Sequence, residues 1–203
     1  MRSLTTLKLV ASIAFGTMLI LPGSVEAGFV ASACDAIAGN LVENCGFETG
    51  DFTDWTATPA AVGSHFGVSS IDVHTGFDAA FFMASDGFPD SISQSIPTFP
   101  GSTYTVTFWL ANDENSDTFN AMFGGTSLLL LFNAPPFAYT EFSQNVTVTS
   151  GSTLLLFSGS APFDTLFLDD VSVVVAAVPE PATLALLGMA LAGLGFSRRK
   201  KSN

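Results

Sequence analysis

The sequence predicts an all-β fold, a two-sheet jelly-roll sandwich set between two export segments. Three observations lead there. Short runs rich in Val, Thr, Phe and Leu are separated by clusters of Gly, Pro, Asn, Asp and Ser, which is the pattern of strands and turns. Several runs alternate: Tyr104, Val106, Phe108 and Leu110 fall on one face, Thr105, Thr107 and Trp109 on the other, as a half-buried strand requires. Between the two ends, no stretch keeps a 3.6-residue period over a useful helical length.

The chain opens with Arg2 and Lys8, an apolar run from Leu9 to Leu21, the breaker Pro22-Gly23, and the small-residue site Val25-Glu26-Ala27. That order is a secretory signal peptide, residues 1–27, with cleavage after Ala27 and Ala31 or Ala33 as later sites. The domain follows, residues 28–177. Its expected strands are Ala38–Glu43, Gly67–Val73, Ala79–Ala84, Ser91–Ile96, Thr103–Ala111, Asn120–Phe123, Ser127–Phe132, Thr140–Thr149, Thr153–Gly159 and Leu166–Val175. Strands of this number and spacing suggest a jelly roll. Leu128 to Phe132 is continuously apolar and reads as a strand buried on both faces. Trp55 is expected in the core, and Asp90 in a loop.

Cys34 and Cys45 are the only cysteines. An even count in an exported segment predicts a disulfide. A zinc site is disfavoured, because neither histidine is near in sequence and the spacing is wrong for a knuckle.

Charge is distributed unevenly. All six basic residues, Arg2, Lys8, Arg198, Arg199, Lys200 and Lys201, lie in the terminal segments. Removing Glu26 and Glu180 from the 18 acidic residues leaves 16 in the domain, with no Lys or Arg beside them. Nucleic acid is excluded as a partner, since phosphate neutralisation needs cations. His65 and His74 are the only side chains that could pair with an acid. Uncompensated carboxylates repel in a compact state, unless a divalent cation or a salty medium intervenes.

The C-terminal segment, 178–203, reads Val178-Pro179-Glu180-Pro181-Ala182, then an apolar run over 183–196, then Arg198-Arg199-Lys200-Lys201. The basic plug resists translocation and stays cytoplasmic. The run is shorter than the roughly 20 residues of a spanning helix, and Gly188, Gly193 and Gly195 weaken it. Pro179, Glu180 and Pro181, the short hydrophobic helix and the basic stop together resemble the PEP-CTERM sorting signal of Gram-negative bacteria. The resemblance implies recognition by an exosortase-type membrane protease after passage through the export machinery. It also implies a transient membrane segment at the inner membrane and delivery to the cell surface or extracellular matrix. The other reading of the tail is a permanent anchor, which would make the chain a membrane-held structural or adhesive protein.

A second resemblance covers the domain. Asn40-Leu41-Val42-Glu43-Asn44-Cys45-Gly46-Phe47-Glu48, with Asp54-Trp55 after it, resembles the opening of galactose-binding-like jelly rolls, many of them carbohydrate-binding modules. Phe167-Leu168-Asp169-Asp170-Val171-Ser172-Val173 is similar to their closing strand, and Thr103 to Leu110 to their middle one. Cys45 and Asp54 stand where the family often has glycine. The resemblance implies that the first and last strands run side by side around a structural Ca²⁺. Glu48 and Asp169 would be its ligands, with Asp170 as neighbour and backbone carbonyls near Asn44 completing the shell. Calcium takes six to eight oxygens of this kind. Adjacent strand residues point to opposite faces, so at most one of Asp169 and Asp170 should bind directly. Asp169 is expected to share its face with Phe167, Val171 and Val173. The alternative is that both are edge charges that block aggregation.

No nucleophile elbow, paired-histidine metal motif or phosphate loop occurs. Glu43, Glu48, Glu114 and Glu141 belong to no hydrolase motif, and the expectation is a non-enzyme. Trp109, with Thr105 and Thr107, would stack on and hydrogen-bond a sugar if its face is open, and only packs if a loop covers it. The expected function is structural membership of an exopolysaccharide matrix with weak glycan binding. The alternative is a secreted carbohydrate-active enzyme or accessory domain.

Overall fold

The computed structural model describes residues 32–85, 87–113, 118–162, 165–177 and 189. The signal peptide, Pro179-Glu180-Pro181, the basic stop and, apart from Met189, the apolar run lie outside the described residues. So does Glu114. Among the described residues, no helix is long and apolar enough to cross a membrane.

A 3-10 turn, Ala33–Ala36, precedes ten strands: β1 Thr56–Thr58, β2 Phe66–Ser69, β3 Ala79–Phe82, β4 Asp90–Pro97, β5 Thr103–Asn112, β6 Thr118–Phe123, β7 Thr126–Phe132, β8 Phe137–Thr147, β9 Ser152–Ser160 and β10 Leu166–Val175. They form two five-stranded antiparallel sheets, β1-β4-β9-β6-β7 and β2-β3-β10-β5-β8. Nine of the ten expected strands form. The alternation in β5 turns Tyr104, Val106, Phe108 and Leu110 inward, where they are fully buried. Opposite them lie Ile92, Ile96, Phe119, Leu155 and Phe157. Phe108 meets Phe157 edge-on across the sandwich at 5.1 Å between ring centroids, a favoured aromatic geometry. Trp55 fills the core as expected.

Three segments depart from the sequence reading. Residues 38–43 form no strand, although this segment does run beside β10. Leu41 N–H donates to the Val173 carbonyl at 3.0 Å, and Val171 N–H to that of Cys45 at 3.0 Å. Asn40 supplies what a paired strand would have given. Its Oδ1 accepts from Val173 N–H at 3.0 Å, and its Nδ2 donates to the Val171 carbonyl at 3.2 Å.

Strand β1 has three exposed residues, Thr56, Ala57 and Thr58, so no apolar period announces it. Strand β7 is not doubly buried. It is the border strand of its sheet, and Leu130 and Phe132 are 67% and 75% exposed.

Candidate functional site

The acidic pair on β10 owes its geometry to a bulge. Asp169 pairs with Trp109 and Ser172 with Thr107, so three steps on β10 span two on β5. Asp170 sits there at φ 47°, the left-handed conformation that a bulge tolerates and Asp adopts more readily than most residues. The extra residue cancels the expected alternation. Asp169 shares the outer face with Trp109, while Val171 and Val173 turn into the core; the expected common face of Asp169 with these valines is therefore wrong. Nor do Asp169 and Asp170 face apart. Both carboxylates grip the same loop.

That loop runs from His74 to Asp78. Asp169 Oδ2 accepts from the backbone N–H of His74 at 3.0 Å and of Thr75 at 3.2 Å. Its Oδ1 accepts from Asp170 N–H at 2.7 Å. Asp170 Oδ2 lies 2.6 Å from His74 Nδ1 and accepts from Thr75 Oγ1 at 2.7 Å. Its Oδ1 accepts from Cys34 N–H at 3.1 Å and from the Ser32 hydroxyl. Glu48 completes the clamp, with both carboxylate oxygens 3.0 Å from Phe77 N. Gly76, at φ 78°, has no room for a β-carbon beside the Glu48 carboxylate.

The two aspartates titrate apart. Burial, and then the charge of Asp170, push the Asp169 carboxyl up to about 8, against the pull of its backbone donors. Burial alone would also raise Asp170. Its hydrogen bonds from Ser32, Thr75, His74 and Cys34 outweigh that and hold it below the usual carboxylate range.

Trp109 does not stand open. The loop lays His74 flat on the indole, 3.9 Å between centroids and 17° from parallel, with Tyr139 at 5.2 Å from the imidazole. Thr105 Oγ1 donates to Asn145 Oδ1 at 2.7 Å, and Thr107 Oγ1 lies 2.9 Å from Ser143 Oγ. These pairs make a ladder across β5 and β8, continued by Thr103 and Thr147 at 2.8 Å. The face expected to be a stacking platform is a row of paired hydroxyl and amide side chains ending under a capped tryptophan.

Cys34 and Cys45 form the expected disulfide, with Cα atoms 6.1 Å apart. It pins the start of the domain beside Asp170. Asn44 has its carbonyl engaged within the protein. That oxygen accepts from Phe47 N–H and Trp55 Nε1–H, each at 3.2 Å, while its Nδ2 binds Thr49 Oγ1 and the Asp51 and Thr53 carbonyls. Asp90 is not in a loop. It opens β4, fully buried, and accepts from Ala60 N–H, Ser64 Oγ and His65 N–H at 2.7, 2.6 and 3.0 Å. Glu48, Asp90, Asp169 and Asp170 thus act alike. In a domain without Lys or Arg, acids tie down loops through backbone N–H groups, and where the acceptor is ionised, as at Asp170, the bond is charge-assisted and about twice as strong as a neutral one.

Among the described residues, the one trio of His, Cys, Asp or Glu donors close enough to share an ion is Cys34, Asp35 and Cys45, and the disulfide uses both sulfurs. Asp170 has both oxygens filled by protein donors. Asp169 Oδ1 accepts from the Asp170 amide and keeps acceptor room, whereas both Glu48 oxygens already accept from Phe77 N–H. Cavities of 120, 190 and 370 Å³ are lined by residues other than Glu48, Asp169 and Asp170.

Residues 177–200 match the PEP-CTERM protein-sorting motif, which implies export and processing by exosortase-type machinery. No curated protein sequence matches the chain. Among solved structures it is similar to TmCBM61 in complex with beta-1,4-galactotriose, at TM-score 0.54 and 22% identity, over 68% of this chain and 99% of that one. It is also similar to the enzymatically active domain of bacteriophage CBA120 tailspike protein 4, at TM-score 0.53 and 13% identity, over 68% and 21%. A third is the CBM22-1 and GH10 modules of Clostridium thermocellum xylanase 10B complexed with xylohexaose, at TM-score 0.50 and 15% identity, over 70% and 30%. At these identities the likeness is one of fold: a jelly roll of the carbohydrate-binding-module type.

Proposed function

We propose that this chain, which carries a PEP-CTERM sorting motif behind a module-type jelly roll, is a non-catalytic component of the cell surface or exopolysaccharide matrix. The motif match at residues 177–200 carries the reading. The domain supports it, because its most perturbed acids are spent on clamping a loop instead of lining an open cleft. Replacing Pro179-Glu180-Pro181 by alanines should leave export intact and hold the protein in the inner membrane at full size. Arrival of that variant at the surface at normal size would overturn the sorting role.

Glycan binding, on this reading, is weak and uses the hydroxyl ladder. Thr105 and Thr107 are half-buried on an outer face, and Trp109 has lost one ring face to His74, so a sugar finds hydrogen bonds with little stacking. Retardation of the domain in gels containing the producing cell's own polysaccharide should fall in a Thr105→Ala/Thr107→Ala variant. Equal retardation would remove these residues from the reading.

A structural calcium ion is the second part of the proposal. The favouring observation is Asp169, a buried carboxyl pushed up to about 8 in a domain without Lys or Arg. Asp169 and Glu48 would hold the ion, whose charge would offset the repulsion between Asp169 and Asp170.

A further inference from the structure

The strand connections of this domain differ in charge between its two ends, although Glu43 and Asp54 on the flank line a cavity with Ser95 and Pro97 of β4. At one end lie the connections 98–102, 124–125 and 148–151 and the exit from β10 at 176–177. None of these residues is charged. At the opposite end Asp90 opens β4 and Asp113 follows β5. The uncharged end also bares large apolar groups: Phe99 is 75% exposed, Val175 59% and Leu154 52%.

These groups are held as one surface. Phe99 N–H donates to Tyr104 Oη at 3.0 Å, and Tyr104 pairs with Val175. Leu154 lines one cavity with Gly124, Val148 and Ser150 of the uncharged connections.

The polypeptide leaves β10 at this same end. Residues 176–182 alone separate Val175 from the apolar run over 183–196, a connection that reaches at most about 25 Å.

We propose that the uncharged end is a membrane-seating face, which rests on the bilayer while the C-terminal apolar run is inserted and before that run is processed. The proposal rests on the sorting reading of the tail. Three physical requirements converge on this end. The short connection keeps it close to the lipid surface. Anionic headgroups repel carboxylates over a Debye length of about 8–10 Å, so a domain with 16 acids and no Lys or Arg meets least repulsion where its strand connections carry none, with Glu43 and Asp54 kept to the flank. Phe99, Val175 and Leu154 then enter the headgroup boundary, where exposed apolar side chains gain by burial. The opposite, acid-rich end is held outward.

The test uses the whole chain in phosphatidylethanolamine–phosphatidylglycerol vesicles with brominated acyl chains, which quench nearby tryptophan. Phe99→Trp places a reporter on the proposed face. Phe88→Trp places one on the residue before Pro89 and β4, at the far end, where Phe88 is 47% exposed. Both positions are exposed, so both variants fold, and wild-type emission from Trp55 and Trp109 supplies the baseline. The added emission of Phe99→Trp should be largely lost in brominated vesicles, and that of Phe88→Trp kept. If the chain floats with the vesicles but both reporters behave alike, the seating face is wrong, and a protein partner for this end would be the better account. If the chain does not float at all, the membrane-directed reading of the tail fails, and the seating face with it.

Discussion

The imidazole of His74 covers the indole of Trp109 at 3.9 Å, and its Nδ1 is 2.6 Å from the carboxylate of Asp170. One side chain thus caps the outer sheet and anchors the loop that closes over the acidic pair. His74→Ala removes an aromatic contact of about 0.5–1.5 kcal/mol and a hydrogen bond to a charged group of about 1.5–3 kcal/mol. The domain should melt several degrees lower, at about 2–4 °C per kcal/mol. Its tryptophan emission should shift to the red, because Trp109 is uncovered while Trp55 stays buried. An unshifted spectrum would mean that another group covers the indole.

Calcium should stabilise the domain. At free ion 100-fold above the dissociation constant, linkage gives about 2.7 kcal/mol, or a melting point roughly 5–10 °C higher than in chelator. Magnesium at equal ionic strength should rescue poorly, because it demands tighter octahedral geometry and sheds water reluctantly. Glu48→Gln and Asp169→Asn should each abolish the effect, and Glu141→Gln, exposed on β8, should not. Identical melting in calcium and chelator would remove the ion.

In chelator, stability should fall as pH rises from about 4 to about 8. The Asp169 carboxyl is raised from 3.8 to about 8 in the folded domain, so in that window the folded state keeps a proton the unfolded chain has released. Its contribution is complete below the unfolded value and is lost as pH climbs through the folded one. Asp170, held low, acts in the opposite sense, and its contribution disappears only as pH drops below its ordinary range. Urea midpoints at pH 5 and pH 8 measure the first effect. Asp169→Asn should flatten the difference, and a midpoint that increases with pH in the wild type would contradict this account.

Reduction of the Cys34–Cys45 bond should cost about 2–3 kcal/mol by the chain-entropy estimate for a loop of this size, seen as a lower melting point with the fold retained. Cys34 also donates its N–H to Asp170, so hydrogen exchange should quicken in residues 74–78 as well as near the cysteines. Exchange confined to residues 34–45 would uncouple the disulfide from the clamp.

Local chemistry made much of this protein legible in its sequence. The period-two pattern of β5 fixed which residues enter the core, because side-chain alternation in a strand needs no partner to be read. The two cysteines, the buried Trp55 and the PEP-CTERM tail were equally plain, since each depends on residue type and order alone. What depends on register and neighbours was decided by the tertiary structure. A single inserted residue at Asp170 reversed the facing of everything after it on β10, and no local signal marks a bulge whose residue is not glycine. Asn40 replaced an expected strand because its amide could reach β10. Leu128 to Phe132 looked like interior until the sheet ended at β7, for an apolar run does not say which strands will flank it. The 16 acids read as a repulsive surface or a metal's ligands. The fold made Glu48, Asp90, Asp169 and Asp170 acceptors for loop amides, a role that requires backbone N–H groups brought from up to 136 positions away, and distance along the chain hides such partners.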